Sequence, residues 1–206
     1  MKIRLENIGK RFNKEWIFRN INLEFEDSQS IVILGGNGSG KSTFLQVIAG
    51  NYLPSEGGIK YTDKKGDVIL SDNLFRHLSI SSPYLDLFEE FSLKETFEFH
   101  AKFKPLLLSN SEIIKLAYLD SAIDKPIKYF SSGMKQRVRL ALSILSDCPI
   151  LFLDEPTSNL DSKGIAWYRE LMTKYANNKL VFVGSNNQEN EYFFCDRSIN
   201  IEEYKF

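Results

Sequence analysis

Three runs in the chain, Ile31-Val32-Ile33-Leu34, Ile150-Leu151-Phe152-Leu153 and Leu180-Val181-Phe182-Val183, contain no polar residue. That pattern predicts strands covered on both faces, as in a parallel sheet. Residues 1 to 26 read differently. Ile3/Leu5 and Ile21/Leu23/Phe25 alternate with polar neighbours, predicting antiparallel strands with one solvated face. Residues 55 to 67, rich in Gly, Lys, Asp and Ser, predict a hairpin and loops. From residue 87 to 120 the period becomes helical, with Leu93/Phe97/Ala101 and Phe99/Phe103 four apart and Pro105 interrupting. A further helix begins near Met134 and buries Val138, Ala141, Leu142 and Leu145; others cover residues 43 to 49 and 164 to 175. Strands alternating with helices give an α/β fold with a mainly parallel sheet and helices on both faces. To this are added an N-terminal antiparallel β subdomain and an inserted helical subdomain. The expected organisation is one domain over residues 1–206, with the core at about 1–80 and 147–206 and the helical subdomain at about 87–146. No internal repeat or low-complexity segment interrupts it.

Between the first buried run and the helix after it lies Gly35-Gly36-Asn37-Gly38-Ser39-Gly40-Lys41-Ser42, which fits G-x-x-x-x-G-K-[ST] without a mismatch. Strand, glycine loop, helix is the context of a phosphate-binding loop, and it makes the core that of a P-loop NTPase. The glycines let backbone N–H groups at Gly35, Asn37, Gly38, Ser39 and Gly40 turn toward an anion, and the helix beginning near Thr43 adds its positive end. Lys41 supplies a cation toward the β- and γ-phosphates, and Ser42 a hydroxyl for Mg²⁺. The competing reading is a glycine-rich turn without a ligand, which leaves the lysine and serine unexplained.

The run at residues 150 to 153 ends in Asp154-Glu155. Ligands of open α/β sheets sit beyond the carboxyl ends of strands, so both acids are expected at the phosphates. Asp154 is the candidate metal ligand and Glu155 the candidate base for an attacking water. Ser131-Ser132-Gly133-Met134 opens a helix and is a second candidate anion site, or simply an N-cap. A triphosphate wrapped by its own loop leaves little room for this second helix end, so a partner molecule's triphosphate is the natural alternative for Ser131 and Gly133; the short motif alone favours the plain N-cap.

Composition narrows the function further. A net charge of −1 and a pI of about 6.2 provide no general basic field, and no nucleic acid is expected as a partner. The cysteines, Cys148 and Cys195, lack metal-ligand spacing and read as reduced thiols. No apolar run approaches the roughly twenty residues of a membrane span, and the N-terminus alternates rather than forming the apolar core of a signal peptide. The expectation is a protein inside the cell, held at a membrane only by another polypeptide. His77 and His100 read as ordinary surface or helix residues.

Together these segments resemble the ATP-binding cassette (ABC) ATPases. Phe130-Ser131-Ser132-Gly133-Met134-Lys135-Gln136-Arg137 is similar to the family's signature segment, and Ser158-Asn159-Leu160-Asp161 to its D-loop. Phe12 lies where the family keeps an aromatic that stacks on adenine, with Trp16 as the alternative. The resemblance implies ATP and Mg²⁺ as cofactors. It also implies a head-to-tail homodimer, or a heterodimer with a second such subunit. Each site of that dimer pairs residues 35 to 43, Asp154 and Glu155 of one protomer with Ser131 and Gly133 of the other. A transmembrane permease is the implied partner, holding the subunit in the cytoplasm on the inner face of the cell membrane. The permease would dock at the helical insert, near Phe88, Phe91, Phe97, Phe99 and Phe103; each of these also reads as core. Shortness and the Ser-Ser-Gly-Met-Lys-Gln-Arg variant resemble the small export-type branch, of the ABC-2 and haem-exporter kind.

Two places depart from the family. In the stretch Ser79-Ile80-Ser81-Ser82-Pro83-Tyr84-Leu85, where the family has a glutamine, Pro83 falls nearest the expected position. At the switch histidine stands Asn186. The alternative function is a soluble ABC ATPase acting on ribosomes or DNA, but this chain has neither the tandem cassettes nor the long coiled coils usual there. A small-molecule kinase is disfavoured by the signature segment.

Overall fold

The computed structural model describes residues 1–83 and 85–205; Tyr84, within the stretch aligned with the family's glutamine loop, lies outside them. The N-terminal strands β1 (Lys2–Phe12) and β2 (Glu15–Glu26) form an antiparallel hairpin closed at Asn13, which takes a left-handed φ of 53°. With β4 (Glu56–Thr62) and β5 (Val68–Ile69) they make a four-stranded sheet in the order β2-β1-β4-β5. The second sheet is wholly parallel, in the order β6-β7-β8-β3-β9, from β3 (Ser30–Leu34), β6 (Leu78–Ser81), β7 (Ile150–Asp154), β8 (Leu180–Ser185) and β9 (Arg197–Asn200).

The unbroken apolar runs are β3, β7 and β8, the three central strands. Because side chains alternate along a strand, each run serves two cores. Val32, Leu151, Leu153, Val181 and Val183 join one with α5 (Ser132–Ile144) and α6 (Ser162–Tyr175). Ile31, Ile33, Ile150, Phe152, Leu180 and Phe182 join the other, against the antiparallel sheet and α1 (Lys41–Ile48). Two strands of this sheet, β6 and β9, are absent from the hydrophobic pattern. Both are edge strands with polar residues. Ser79 and Ser81 of β6 are nonetheless buried, and Ser79 donates its hydroxyl to the Ser143 carbonyl of α5 at 2.8 Å.

The insert holds α3 (Leu93–Ala101) and α4 (Asn110–Leu116), separated around Pro105 and each started by a capping box, Ser92/Glu95 and Ser109/Glu112. Single turns α2 (Ser71–Leu74) and α7 (Glu189–Tyr192) complete the helices. Phe97 is fully buried and Phe91 and Phe99 are half-buried, whereas the core reading fails for Phe88 and Phe103. Phe88 and Phe103 are exposed, and the rings of Phe88, Phe91, Phe99 and Phe103 lie 5.0–5.5 Å apart in a surface cluster. An apolar helix face has one sequence pattern whether or not the fold covers it. Among the described residues no helix is long and apolar enough to cross a membrane.

His100, on α3, points inward: its Nε2 is 2.8 Å from Ser146 Oγ, and burial, then the Lys104 ammonium, push its pKa down to about 4. Both cysteines are free thiols with raised pKa, mainly through burial, Cys195 to about 12.

Candidate functional site

The carboxyl ends of β3, β7 and β8 meet at one edge of the parallel sheet, and the site grows from their loops. β3 leads into the glycine loop. Gly40 caps α1 with φ 105°, and a Cβ there would lie 2.6 Å from Ile17 Cγ2, so the sequence has no room for a side chain at this turn. No side chain caps α1, leaving the orphan N–H groups of its first turn for an anion. Lys41 is buried and folds back over its own loop, donating to the carbonyls of Gly35 and Gly36, each at 2.9 Å. On the other side of the same peptide, Gly36 N–H donates to Glu202 Oε1 at 3.1 Å.

Residues 37 to 43, Ile17 and Glu155 line a cleft of about 440 Å³. Asn37 and Glu155 also line a second cavity of about 360 Å³ with Thr157, Ser158, Asn186 and Glu191. The glycine loop, the acid after β7 and the asparagine after β8 are therefore continuous in space. Glu155 holds a left-handed φ of 45° and donates its N–H to the Gly184 carbonyl at 2.9 Å. Non-glycine residues held in that region cost on the order of 1–3 kcal/mol and concentrate at working sites.

Asp154, at the end of β7, is buried, and its pKa is raised, first by burial. The Glu155 carboxylate adds to the rise, while the hydroxyls of Ser42 and Ser82 and the Lys41 ammonium oppose it. Its Oδ2 accepts from Ser82 Oγ at 3.4 Å, whereas its buried Oδ1 has no hydrogen-bond partner among the described residues. A dehydrated, unpartnered carboxylate oxygen next to a serine hydroxyl fits a hard divalent cation such as Mg²⁺. No cluster of three or more acidic, His or Cys side chains suited to a metal exists among the described residues. Mg²⁺ at Ser42 and Asp154 would thus depend on phosphate oxygens and water for its remaining ligands.

Ser131 and Gly133 stand apart. They line a cavity of about 540 Å³ with Tyr118, Arg137, Asn159 and Asp161, sharing no lining residue with the other two. Ser131 is the N-cap of α5, its Oγ accepting from Met134 N–H at 3.2 Å. A Cβ on Gly133 would come within 3.0 Å of the Asn159 carbonyl, so the D-loop-like segment rests directly on the signature-like segment. Gln136 ties α5 to the loop after Glu155, donating to the Pro156 carbonyl at 2.9 Å.

Phe12 is half-exposed at the end of β1, edge-on to Tyr52 at 6.0 Å with the Lys10 ammonium 5.0 Å from its ring. From the hairpin, Ile17 lines the cleft beside the glycine loop, and Ile17 and Phe18 both pack near Gly40. Trp16 is covered by the Arg19 guanidinium at 4.2 Å and that of Arg11 at 5.3 Å. Sequence reasoning missed Ser82, Glu191 and Glu202. Ser82 and Glu191 lie in polar stretches that resemble solvated loops, and no local signal distinguishes them.

Comparison with known proteins agrees with this geometry. The family model described as ABC transporter matches residues 18–158. The uncharacterized ABC transporter ATP-binding protein YybJ of Bacillus subtilis is 27% identical over 203 residues, covering 97% of this chain and 92% of that protein. The cytochrome c biogenesis ATP-binding export protein CcmA of Brucella abortus is 30% identical, covering 85% and 80%. In fold, the dimeric bacterial ABC transporter cassette MJ0796 superposes with a TM-score of 0.80 at 24% identity, over 97% of this chain and 95% of that one. A phosphate loop, an acidic strand end and a signature-like helix start thus occur in one ATP-binding cassette, and the chain belongs to the ABC transporter family.

Proposed function

We propose that this chain is the ATP-hydrolysing subunit of an ABC transporter, closing head-to-tail on ATP as a dimer and driving a membrane permease as it opens. The observation that carries this reading is the division of the site. The glycine loop, Asp154, Glu155 and Asn186 share one continuous space, while Ser131 and Gly133 line a separate one. A half-site on each face is what a two-fold pair needs for each protomer to complete the other's.

In this reading the N–H groups of residues 37 to 43 and Lys41 hold the phosphates, and Phe12 lies beside the base. Ser42 and Asp154 hold Mg²⁺, which when bound neutralises phosphate charge. Glu155 orients and deprotonates the attacking water. Asn186 donates to the γ-phosphate. Ser131 and Gly133 offer the start of α5 to the partner's nucleotide. The surface cluster of exposed Phe88 and Phe103 with half-buried Phe91 and Phe99 supports docking of an apolar permease segment there, and with it residence at the inner face of the cell membrane. Similarity to CcmA, named as an export protein, and to the lantibiotic transport ATP-binding protein SrtF of Streptococcus pyogenes supports an export role.

Two measurements test the proposal. Glu155→Gln is expected to bind ATP, stop hydrolysis and accumulate a dimer in size-exclusion chromatography with Mg·ATP. A variant that stays monomeric and turns over normally excludes Glu155 as the base. Mixing Ser131→Arg with Lys41→Ala puts both lesions in one composite site and leaves the other intact, so activity should return. No recovery in proven heterodimers refutes the shared site.

A further inference from the structure

Glu191 is an acid in an unusual place. It lies in the single turn α7, four residues long, yet is only 2% exposed. One turn of helix has no stability of its own, and a buried carboxylate costs several kcal/mol unless it is well bonded. It is well bonded. Oε1 accepts from Thr157 N–H at 3.2 Å and from Thr157 Oγ1 at 2.9 Å, and Oε2 accepts from Ser185 Oγ at 2.5 Å. Ser185 Oγ in turn accepts from Gln188 N–H at 3.1 Å. The Glu191 main chain is fixed as well, its carbonyl accepting from the fully buried Tyr168 hydroxyl of α6 at 2.7 Å.

The two loops joined in this way have different duties. Thr157 stands two residues beyond Glu155 and begins the segment whose Asn159 carbonyl rests on Gly133. Ser185 ends β8, and Asn186 follows it into the cavity shared with Glu155. We propose that Glu191 is a positioning residue that clamps the loop after Glu155 to the loop carrying Asn186. A change at Asn186 when nucleotide binds is thereby passed to residues 157 to 161 and on to the signature-like helix start. The inference rests on the ATPase reading above. A second general base is the competing role, but both Glu191 oxygens already accept from protein donors. Burial raises its pKa, the Glu155 carboxylate in the same cavity raises it further, and the Ser185 and Thr157 donors hold it down. That balance suits a fixed acceptor.

Amide hydrogen exchange of the full chain, with and without a non-hydrolysable Mg·ATP analogue, tests the clamp alongside steady-state kinetics and nucleotide titration. In the wild type, nucleotide should slow exchange in residues 185 to 188 and also in 157 to 161. In Glu191→Ala the first effect should persist and the second vanish. Turnover should fall about 10- to 100-fold with nucleotide affinity within about twofold. Glu191→Gln keeps an acceptor for Thr157 and should fall between. Thr157→Val and Ser185→Ala each remove part of the clamp and should reproduce part of the loss, which keeps the test available if Glu191→Ala does not fold. Normal turnover in Glu191→Ala, or both segments still responding together, overturns the clamp while leaving the ATPase reading intact. Nucleotide that slows neither segment in the wild type overturns that reading, and the clamp with it.

Discussion

Ser82 Oγ donates to Asp154 Oδ2 across 3.4 Å, joining the end of β6 to the acid that closes β7. Ser82 precedes Pro83, the residue nearest the expected position of the family's glutamine, and its short hydroxyl reaches the candidate metal ligand from that side. The bond lowers the pKa of an acid that burial raises. Ser82→Ala should let that pKa rise and weaken the metal site by about 1 kcal/mol, roughly fivefold. The measurement is turnover against free Mg²⁺: the half-saturating concentration should rise while metal-free ATP binding stays constant. An unchanged Mg²⁺ curve would separate Ser82 from the metal.

Lys41 is bonded to its own loop at the Gly35 and Gly36 carbonyls. Phosphate must replace these bonds, so the gain on binding is smaller than the roughly 4 kcal/mol of a bare charge pair at about 4 Å and an effective dielectric of 20. Lys41→Ala is expected to weaken ATP by about 2–3 kcal/mol, on the order of 30- to 150-fold, in a fluorescent-nucleotide titration. Wild-type affinity would show that the loop does not hold the triphosphate.

Asn186 can donate an amide hydrogen bond but carries no charge and shuttles no proton near neutral pH. Loss of one preorganised donor costs about 2.7–4 kcal/mol, and the amide should keep part of that. Basal hydrolysis should therefore be slow. Asn186→His should raise turnover several-fold with ATP affinity nearly constant, and Asn186→Ala should lower it. Equal phosphate release from all three proteins removes Asn186 from the site.

His100 gives a pH dependence of stability with a definite sign. Its pKa falls from 6.5 to about 4 on folding, so between these values the unfolded chain binds the proton and the folded one does not. Stability contributed by the neutral imidazole is full above pH 6.5 and is lost as pH falls toward 4, on the order of 2–3 kcal/mol. Urea unfolding from pH 7 to pH 4 should show wild type losing this increment relative to His100→Gln. Parallel curves would mean that the imidazole is free to protonate in the folded protein.

The sequence revealed the central strands because a strand buried on both faces must be apolar at every position. It revealed the glycine loop and Asp154-Glu155 because their spacing has few other uses. It did not reveal β6, where the buried Ser79 hydroxyl is satisfied by the Ser143 carbonyl of α5 and, more weakly, by the Ile150 carbonyl. Nor did it reveal Glu191, which sits in the run Asn187-Gln188-Glu189-Asn190-Glu191 with no periodicity to mark the inward-facing acid. Both depend on partners more than thirty residues away in sequence, Ser143 and Thr157, which local pattern cannot register. The exposed phenylalanines fail for the opposite reason, since nothing in the helical period records what is missing opposite them.

The thiols provide a clock for motions that catalysis does not report. Cys148 and Cys195 stand two residues before β7 and β9, at the amino ends of the parallel strands, whereas the proposed nucleotide site lies at the carboxyl ends. Cys148 is buried and Cys195 half-buried, and both have raised pKa values, so alkylating reagents react with them fastest when their surroundings open. Their labelling rates measure how often the far edge of the sheet breathes. Comparing those rates with and without nucleotide tells whether ligand at one end stiffens the whole sheet or only the loops that touch it.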